Sequence, residues 1–316
     1  MFWSGLASLL RTILYGWIIA LWRFLKLLCQ RRPKPPKPWH RPTADTTCVP
    51  IDHPAFVRPD PLIYSQRYLL AQGLAVTYDN PDITLSKAGV PISSNDLEPA
   101  TTYEVTARIW NNSLEAPVVA MPVHLSFLDF GVGNEPIPIA SGKVDVGVKG
   151  SSSQPAFVTI PWTTPPTTGH YCLSVLLDPA DDTERLNNLG QENTNVSAAH
   201  SPAVFEFTLH NNTRLVRKYH FEVDAYQIPP LPKCNGAKPN AAAAIKRHQR
   251  ESHPIPPGFT VQIEPPMPTL DPGASIMITV NIEPSAGFVG RQPLNINAFH
   301  EQGFAGGVTL ITIKEP

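Results

Sequence analysis

The sequence lacks the residue patterns that most catalytic and metal-binding sites require. It has only four cysteines in 316 residues, and no two of them are spaced as a CxxC pair or as metal ligands. Its ten histidines are scattered without a partner at metal-ligand spacing. There is no Gly-x-Ser-x-Gly, no cysteine–histidine motif and no glycine-rich phosphate loop. We therefore expect no enzyme activity, no cofactor, no metal and no small-molecule substrate.

Acidic side chains are absent from the start of the chain, although its formal net charge is only −1. No Asp or Glu precedes Asp45, whereas basic residues recur throughout that stretch. They are Arg11, Arg23, Lys26, Arg31, Arg32, Lys34, Lys37 and Arg41. A basic end on an otherwise acidic chain indicates an anionic membrane surface or an acidic partner. The balanced total does not favour binding to nucleic acid.

A long uninterrupted hydrophobic run is also missing, yet residues 2–28 are rich in Leu, Ile, Trp and Phe. The uninterrupted part, residues 12–22, is shorter than the roughly 20 residues of a standard membrane span. On a helical wheel, Arg11, Tyr15, Arg23 and Lys26 share a polar face opposite an apolar one. We predict a membrane-anchor helix over residues 1–30. A cleavable signal peptide fits poorly, because no basic region precedes the apolar stretch and no small-x-small site follows it.

Two placements of this helix stay open, besides burial in a soluble core. It either spans the bilayer with its polar stripe against another protein, or lies in the interface with the stripe facing headgroups. In both cases the predicted membrane and partner contacts are Arg11, Tyr15, Trp17, Trp22, Arg23, Lys26, Arg31 and Arg32.

Residues 31–80 are predicted to form a Pro-rich basic linker followed by an extended arm. Prolines alternate with Lys and Arg over residues 31–42, which favours a semi-rigid polyproline spacer. Its charges directly follow the anchor, so the positive-inside rule places the soluble domains at the cytoplasmic face. A periplasmic or extracellular location is the alternative. A short helical turn is expected within residues 64–73.

The rest of the chain reads as mainly β, with two immunoglobulin-like β-sandwiches at residues 81–200 and 201–316. Tyr103, Val105, Ala107 and Ile109 alternate with more polar neighbours, which is the period of a half-buried strand. Candidate strands of the first sandwich cover residues 83–85, 103–110, 118–127, 137–148, 156–162 and 170–177. Residues 204–209 either close it or open the second sandwich, in which residues 229–257 form an insertion with a helix-friendly segment at 241–250.

Several of these strands and turns carry motifs that resemble a CARDB domain, a bacterial cell-adhesion-related, immunoglobulin-like module. The motifs are Asp82-Ile83, Asn111-Asn112, Val123-x-Leu125-x-Phe127, Pro161-Trp162-Thr163, Gly169 to Val175 and Glu184-x-x-Asn187-Asn188. The resemblance covers residues 81–196 and implies a non-enzymatic module of a kind that is usually exported and repeated. This chain departs by lacking a cleavable signal and tandem copies. The second domain resembles immunoglobulin-like domains of bacterial surface and accessory proteins.

Two charged clusters remain as candidate sites. The acidic turn of Asp178, Asp181, Asp182 and Glu184 is a weak calcium candidate, but EF-hand spacing is missing and a solvated hairpin turn is favoured. Lys246 and Arg247 lie in a short basic patch that suits an acidic partner or headgroups, or a solvated helix end. Cys172, Trp110 and Trp162 are expected to pack in the core.

Together these features predict a non-catalytic, membrane-anchored accessory or scaffold subunit that stabilises or spaces a membrane protein assembly. Its partners would be membrane lipids and other subunits of the complex. The alternative is a cell-surface adhesion or carbohydrate-binding module, which would expose aromatic side chains such as Trp110 or Trp162.

Overall fold

The computed structural model describes residues 58–196, 204–229 and 241–314, all of which belong to one compact unit, Phe56–Pro316. The predicted anchor helix and the polyproline spacer lie outside the described residues. Within the described ranges, no helix combines the length and apolar character needed to cross a bilayer.

An arm of residues 58–80 leads into the first β-sandwich. The arm contains a two-residue strand and one short helix, and the remaining elements are strands apart from a 3-10 turn at Arg185–Asn187. In order they are β1 (Pro61–Leu62), α1 (Gln66–Ala71), β2 (Ile83–Lys87), β3 (Val90–Ile92), β4 (Thr102–Asn111), β5 (Val118–Asp129), β6 (Gly131–Val132), β7 (Ile137–Val146), β8 (Ala156–Thr163), β9 (Gly169–Leu177) and β10 (Leu189–Val196).

Two antiparallel sheets enclose the first core. One has the order β1-β4-β2-β3, with β8 also paired to β4, and the other has the order β10-β9-β5-β7. Alternate residues of β4 point inward, so Tyr103, Val105, Ala107 and Ile109 are buried as the period-2 pattern predicts. They pack with residues of the facing sheet such as Leu173.

The second β-sandwich contains the remaining strands and one helix. They are β11 (Val204–His210), β12 (Arg217–Lys218), β13 (His220–Asp224), α2 (Ala241–His248), β14 (Thr260–Glu264), β15 (Thr269–Leu270), β16 (Ser275–Glu283), β17 (Gly290–His300) and β18 (Gly303–Lys314). Its main sheets are β14-β16-β11-β6 and β13-β17-β18. Phe207, Ile278 and Leu294 lie in its core.

The chain is therefore mainly β, as predicted. Of the two alternatives for residues 204–209, the structure has the second, because β11 pairs with β16 of the second sandwich. The strand beside β9 is β10, which the sequence analysis did not predict because its residues are mostly polar. Edge pairing with β9 on one side and the arm on the other holds this segment extended. The predicted domain boundaries stay predictions.

The arm has more buried side chains than its Pro-rich, polar sequence suggests. Ile63, Val76 and Tyr78 are almost fully buried, and Ile63 belongs to the first core. α1 begins at an N-cap serine, since the Ser65 side chain accepts from the backbone N–H of Tyr68. This helix confirms the expected turn within residues 64–73.

One side chain of the arm closes the exposed edge of β10. Gln66 donates from Nε2 to the carbonyl oxygen of Gln191 at 2.7 Å and accepts from the Gln191 N–H at Oε1 at 3.3 Å. It thereby binds the strand as a neighbouring peptide group would. At Gln191 the edge of β10 is therefore unavailable for pairing with another chain.

Candidate functional site

A buried polar seam joins the arm and both sandwiches. Its centre is Thr309 of β18, whose hydroxyl donates to Asn295 Oδ1 and accepts from the backbone N–H of Tyr78, both at 2.7 Å. Asn193 of β10 donates from Nδ2 to the Thr309 carbonyl at 3.2 Å. Each of these side chains is at least nine-tenths buried. Buried polar groups have strong geometric requirements, so this seam fixes the relative position of the elements that it joins.

Two carboxyl groups are buried in or beside the seam. Asp224 accepts from Asn295 Nδ2, Asn297 Nδ2 and the Tyr226 N–H, and burial raises its pKa. Glu192 accepts from the Asn80 N–H, and burial raises its pKa well above the ordinary value. Removal from water favours the neutral acid in both cases. Sequence reasoning missed this pair because each residue looks like one more polar position in a strand.

Tyr78 and Tyr64 offer a matched test of the seam. The Tyr78 hydroxyl is buried and has no hydrogen-bond partner among the described residues, whereas the Tyr64 hydroxyl accepts from the Thr77 N–H at 3.2 Å. We expect Tyr78→Phe to raise the free energy of unfolding by about 1 kcal/mol, because an unsatisfied group is removed. Tyr64→Phe should lower it by a similar amount. Urea denaturation measures both, and equal losses in the two variants would contradict the assignment.

The acidic turn is bound into the framework. Arg58 of the arm donates from Nε to Asp181 Oδ1 at 2.7 Å. Asp182 is buried and accepts from Asn188 Nδ2 at 2.6 Å and from the Glu184 N–H, and burial raises its pKa. Glu184 in turn caps the 3-10 turn through the Leu186 N–H. Across the described ranges, no three His, Cys, Asp or Glu side chains are grouped closely enough to hold a metal ion.

The remaining acidic residue of that turn is Asp178, which lies close to His124. His124 lines a groove of about 590 Å³ between the first sandwich and β18. His124 in this groove bonds through Nδ1 to the Ser141 hydroxyl at 2.7 Å, and its Nε2 lies 3.7 Å from Asp178 Oδ2. The imidazole of His124 thus lies between the Ser141 hydroxyl and the Asp178 carboxylate. The 3.7 Å separation exceeds a hydrogen bond, so the carboxylate and the imidazole are not hydrogen-bonded to each other in this structure.

The basic patch lies in the last turn of α2. Lys246 and Arg247 are exposed there, as is Ile245 at 56%. The end of α2 is anchored to the body: the His248 carbonyl accepts from the Ala75 N–H at 2.8 Å, and His248 Nδ1 bonds to the Tyr226 hydroxyl at 2.7 Å. The helix therefore presents a basic surface with one exposed apolar side chain. The predicted contacts Arg11, Tyr15, Trp17, Trp22, Arg23, Lys26, Arg31 and Arg32 lie outside the described residues.

Two of the three predicted core side chains are buried as expected. Trp162 is 2% exposed in the first core, and Cys172 is buried with its thiol pKa raised by burial. Trp110 is different, because it lies at an outward-facing position of β4 and is only half-buried. The strand alternation places it there, since it follows the inward-facing Ile109.

The chain matches no protein-family model and no curated protein sequence. Among solved structures it is similar to the CARDB domain of a Pyrococcus furiosus protein, solved in complex with di-metal ions. Identity is 14% over 45% of this chain and 96% of that one, with a TM-score of 0.28. It is also similar to the Yersinia pseudotuberculosis adhesin InvE, at 17% identity over 76% of this chain and 60% of the adhesin, with a TM-score of 0.20.

A third similar structure is red sea bream transglutaminase, at 8% identity over 73% of this chain and 30% of that one, with a TM-score of 0.20. Likeness at these levels carries no conclusion about substrate or partner. The structural neighbours include a CARDB domain and an adhesin, and the CARDB resemblance indicated by the sequence motifs is found by structure comparison as well.

Proposed function

We propose that this protein is a non-catalytic accessory subunit that is anchored to a membrane and spaces or stabilises a protein assembly. The observation that carries the proposal is the buried seam around Thr309, because it makes the arm and both sandwiches one unit. A spacer sets the distance between the proteins that it binds, so its own domains must keep a fixed position relative to one another. Buried, mutually bonded polar groups specify such a relation better than apolar contact does.

The anchor of the proposal is the amphipathic segment over residues 1–30, together with the basic residues that follow it. The soluble part would then face the cytoplasm. Partner subunits would bind the exposed basic end of α2, where Lys246 and Arg247 suit an acidic surface and Ile245 adds apolar area.

A deletion tests the anchor. We expect the full chain to sediment with native membranes and a variant lacking residues 2–32 to remain in the supernatant. Alkaline carbonate then separates the two placements, because a spanning helix resists extraction and an in-plane helix is released. A deletion variant that still sediments with membranes would contradict the anchor.

The partner surface has its own control in the same experiment. The double variant Lys246→Ser, Arg247→Ser should sediment like the full chain but lose the subunits that co-purify after gentle solubilisation. Unchanged co-purification would exclude α2 as the docking element. The alternative, a cell-surface adhesion or carbohydrate-binding module, predicts instead that protease added to intact cells cleaves the protein.

A further inference from the structure

A small cleft lies at the end of β4, on the outer face of the first sandwich. It has a volume of about 320 Å³, near the lower end of the range of ligand pockets, which is roughly 300–1,000 Å³. Trp110 and Leu62, which are paired across β4 and β1, form its apolar wall. Asn112, Lys149 and Gln154 supply polar groups at its other side. The cleft thus combines an aromatic ring with several hydrogen-bonding side chains.

The indole ring of Trp110 is held in place before any ligand arrives. Its Nε1–H donates to Asp82 Oδ1 at 3.3 Å, and Arg108 Nε donates to the same oxygen at 2.7 Å. The Arg108 guanidinium also lies 5.4 Å from the centre of the indole ring. Asp82 is itself only 6% exposed, so this group is rigid. A preorganised ring binds a ligand with less loss of conformational entropy.

The polar side of the cleft carries one ammonium group, that of Lys149. Lys149 Nζ donates to Asn112 Oδ1 at 2.6 Å and forms no ion pair with a carboxylate of the described residues. The nearest amides are also oriented: Gln154 Nε2 donates to the Asn111 carbonyl at 2.7 Å, and Asn112 Nδ2 donates to Asp60 Oδ2 at 3.2 Å. Gln154 Oε1 has no partner among the described residues. The cleft therefore offers one ammonium and neutral amides beside an aromatic face.

We propose that this cleft binds one ring of an acidic saccharide such as a uronic acid. A pyranose ring has an apolar C–H face, which suits the indole, and a hydroxyl periphery, which suits amide donors and acceptors. The carboxylate of a uronic acid would pair with Lys149. The site goes beyond the proposed scaffold function and does not depend on it, because neither the anchor segment nor α2 lines the cleft.

The test uses the full chain in detergent and trigalacturonate as the probe, followed by saturation-transfer NMR and calorimetric titration. We expect a Kd of roughly 0.1–1 mM. Trp110→Ala should raise this Kd at least tenfold, and Lys149→Gln should raise it about fivefold. Galactotriose, which lacks the carboxylates, should bind at least fivefold more weakly than trigalacturonate. Lys149 is exposed, so its variant keeps the test valid even if Trp110→Ala does not fold.

Phe157→Ala is the matched control, because Phe157 is 60% exposed on the same sheet, in register with Arg108, and does not line the cleft. It should bind trigalacturonate like the unmodified protein. The proposal is overturned if no binding of trigalacturonate is detected at concentrations about tenfold above the expected Kd range. It is also overturned if Phe157→Ala and Lys149→Gln bind trigalacturonate with the same affinity. Equal binding of galactotriose would overturn the acidic specificity. None of these outcomes alters membrane sedimentation, so failure here is separate from failure of the scaffold proposal.

Discussion

Replacing Asn211 by alanine is expected to lower the free energy of unfolding by roughly 3 kcal/mol, because one fully buried amide satisfies four backbone and side-chain groups. Its Nδ2 donates to the carbonyls of Leu215 and Leu270 at 2.8 and 2.9 Å. Its Oδ1 accepts from the N–H and the hydroxyl of Thr213 at 3.1 and 2.7 Å. Alanine fills none of these roles, and Asn211 and Leu270 are buried, so at least the Leu270 carbonyl would lose its partner away from water.

The control for this variant is the next residue along the chain. Asn212 is exposed, so Asn212→Ala should change stability by less than about 0.5 kcal/mol. Thermal unfolding followed by circular dichroism compares the two variants, and we expect a difference in Tm of roughly 6–12 °C. Equal Tm values would show that the four hydrogen bonds of Asn211 contribute nothing to stability.

The same device recurs in the first sandwich, at the end of β4. Asn111 is also fully buried, donates from Nδ2 to the carbonyls of Ala116 and Gly147, and accepts at Oδ1 from the N–H groups of Asp60 and Ser113. In both sandwiches an Asn-Asn pair lies where a central strand ends, and the side chain of the first Asn holds the turn. The second sandwich thus repeats a local solution of the first.

Replacing Glu192 by glutamine is expected to raise the free energy of unfolding at pH 8 by roughly 2 kcal/mol, because a neutral amide is buried without the cost of first protonating a carboxylate that is ionised in the unfolded chain. Burial, and then the nearby Asp79, raise the pKa of Glu192 above its ordinary value of 4.5, while Arg291 and hydrogen bonds from Ser94 and Asn80 act the other way. The folded state therefore holds its proton more tightly than the unfolded state does. The contribution of Glu192 to the free energy of unfolding is therefore fully present below about pH 4.5. It is lost as the pH rises through the folded-state pKa of Glu192.

The pH dependence separates this effect from simple repacking. We expect the unmodified protein to lose stability as the pH rises above about 4.5 and the Glu192→Gln variant to lose less. Asp224 has a raised pKa as well, so part of the dependence remains in the variant. Glu206→Gln, at an exposed position of β11, is the control and should leave the curve unchanged. Parallel curves for the unmodified protein and the Glu192→Gln variant would contradict the prediction.

Strands with a clean alternation were predictable because each needs only its own residues to define an inward face. β4 and β9 are of this kind, and both were identified to within one or two residues. β10 was missed because Gly190, Gln191, Glu192 and Asn193 carry no apolar pattern. Its extended state is imposed by pairing with β9 and by Gln66, and such long-range pairing is invisible in a local sequence window.

The candidate sites divide in a similar way. The basic surface of α2 follows from composition alone, since Lys246 and Arg247 close an alanine-rich segment. The acidic turn was recognised, but its binding to Arg58 depends on a contact across 123 positions of sequence. Trp110 was assigned to the wrong environment because aromatic residues in strands usually pack inward, and the alternation of β4 overrides that tendency.

The sequence by itself determined the β class, the inward residues of the regular strands, a helix within residues 241–250 and the basic start of an otherwise acidic chain. Each of these depends on residue type and short-range periodicity. Only the tertiary structure decided that Glu192 and Asp224 are buried, that the arm joins both sandwiches at Thr309, and that Trp110 borders a cleft. The physical reason is that burial and hydrogen-bond partnership are properties of distant pairs, which form only after the strands have been placed together.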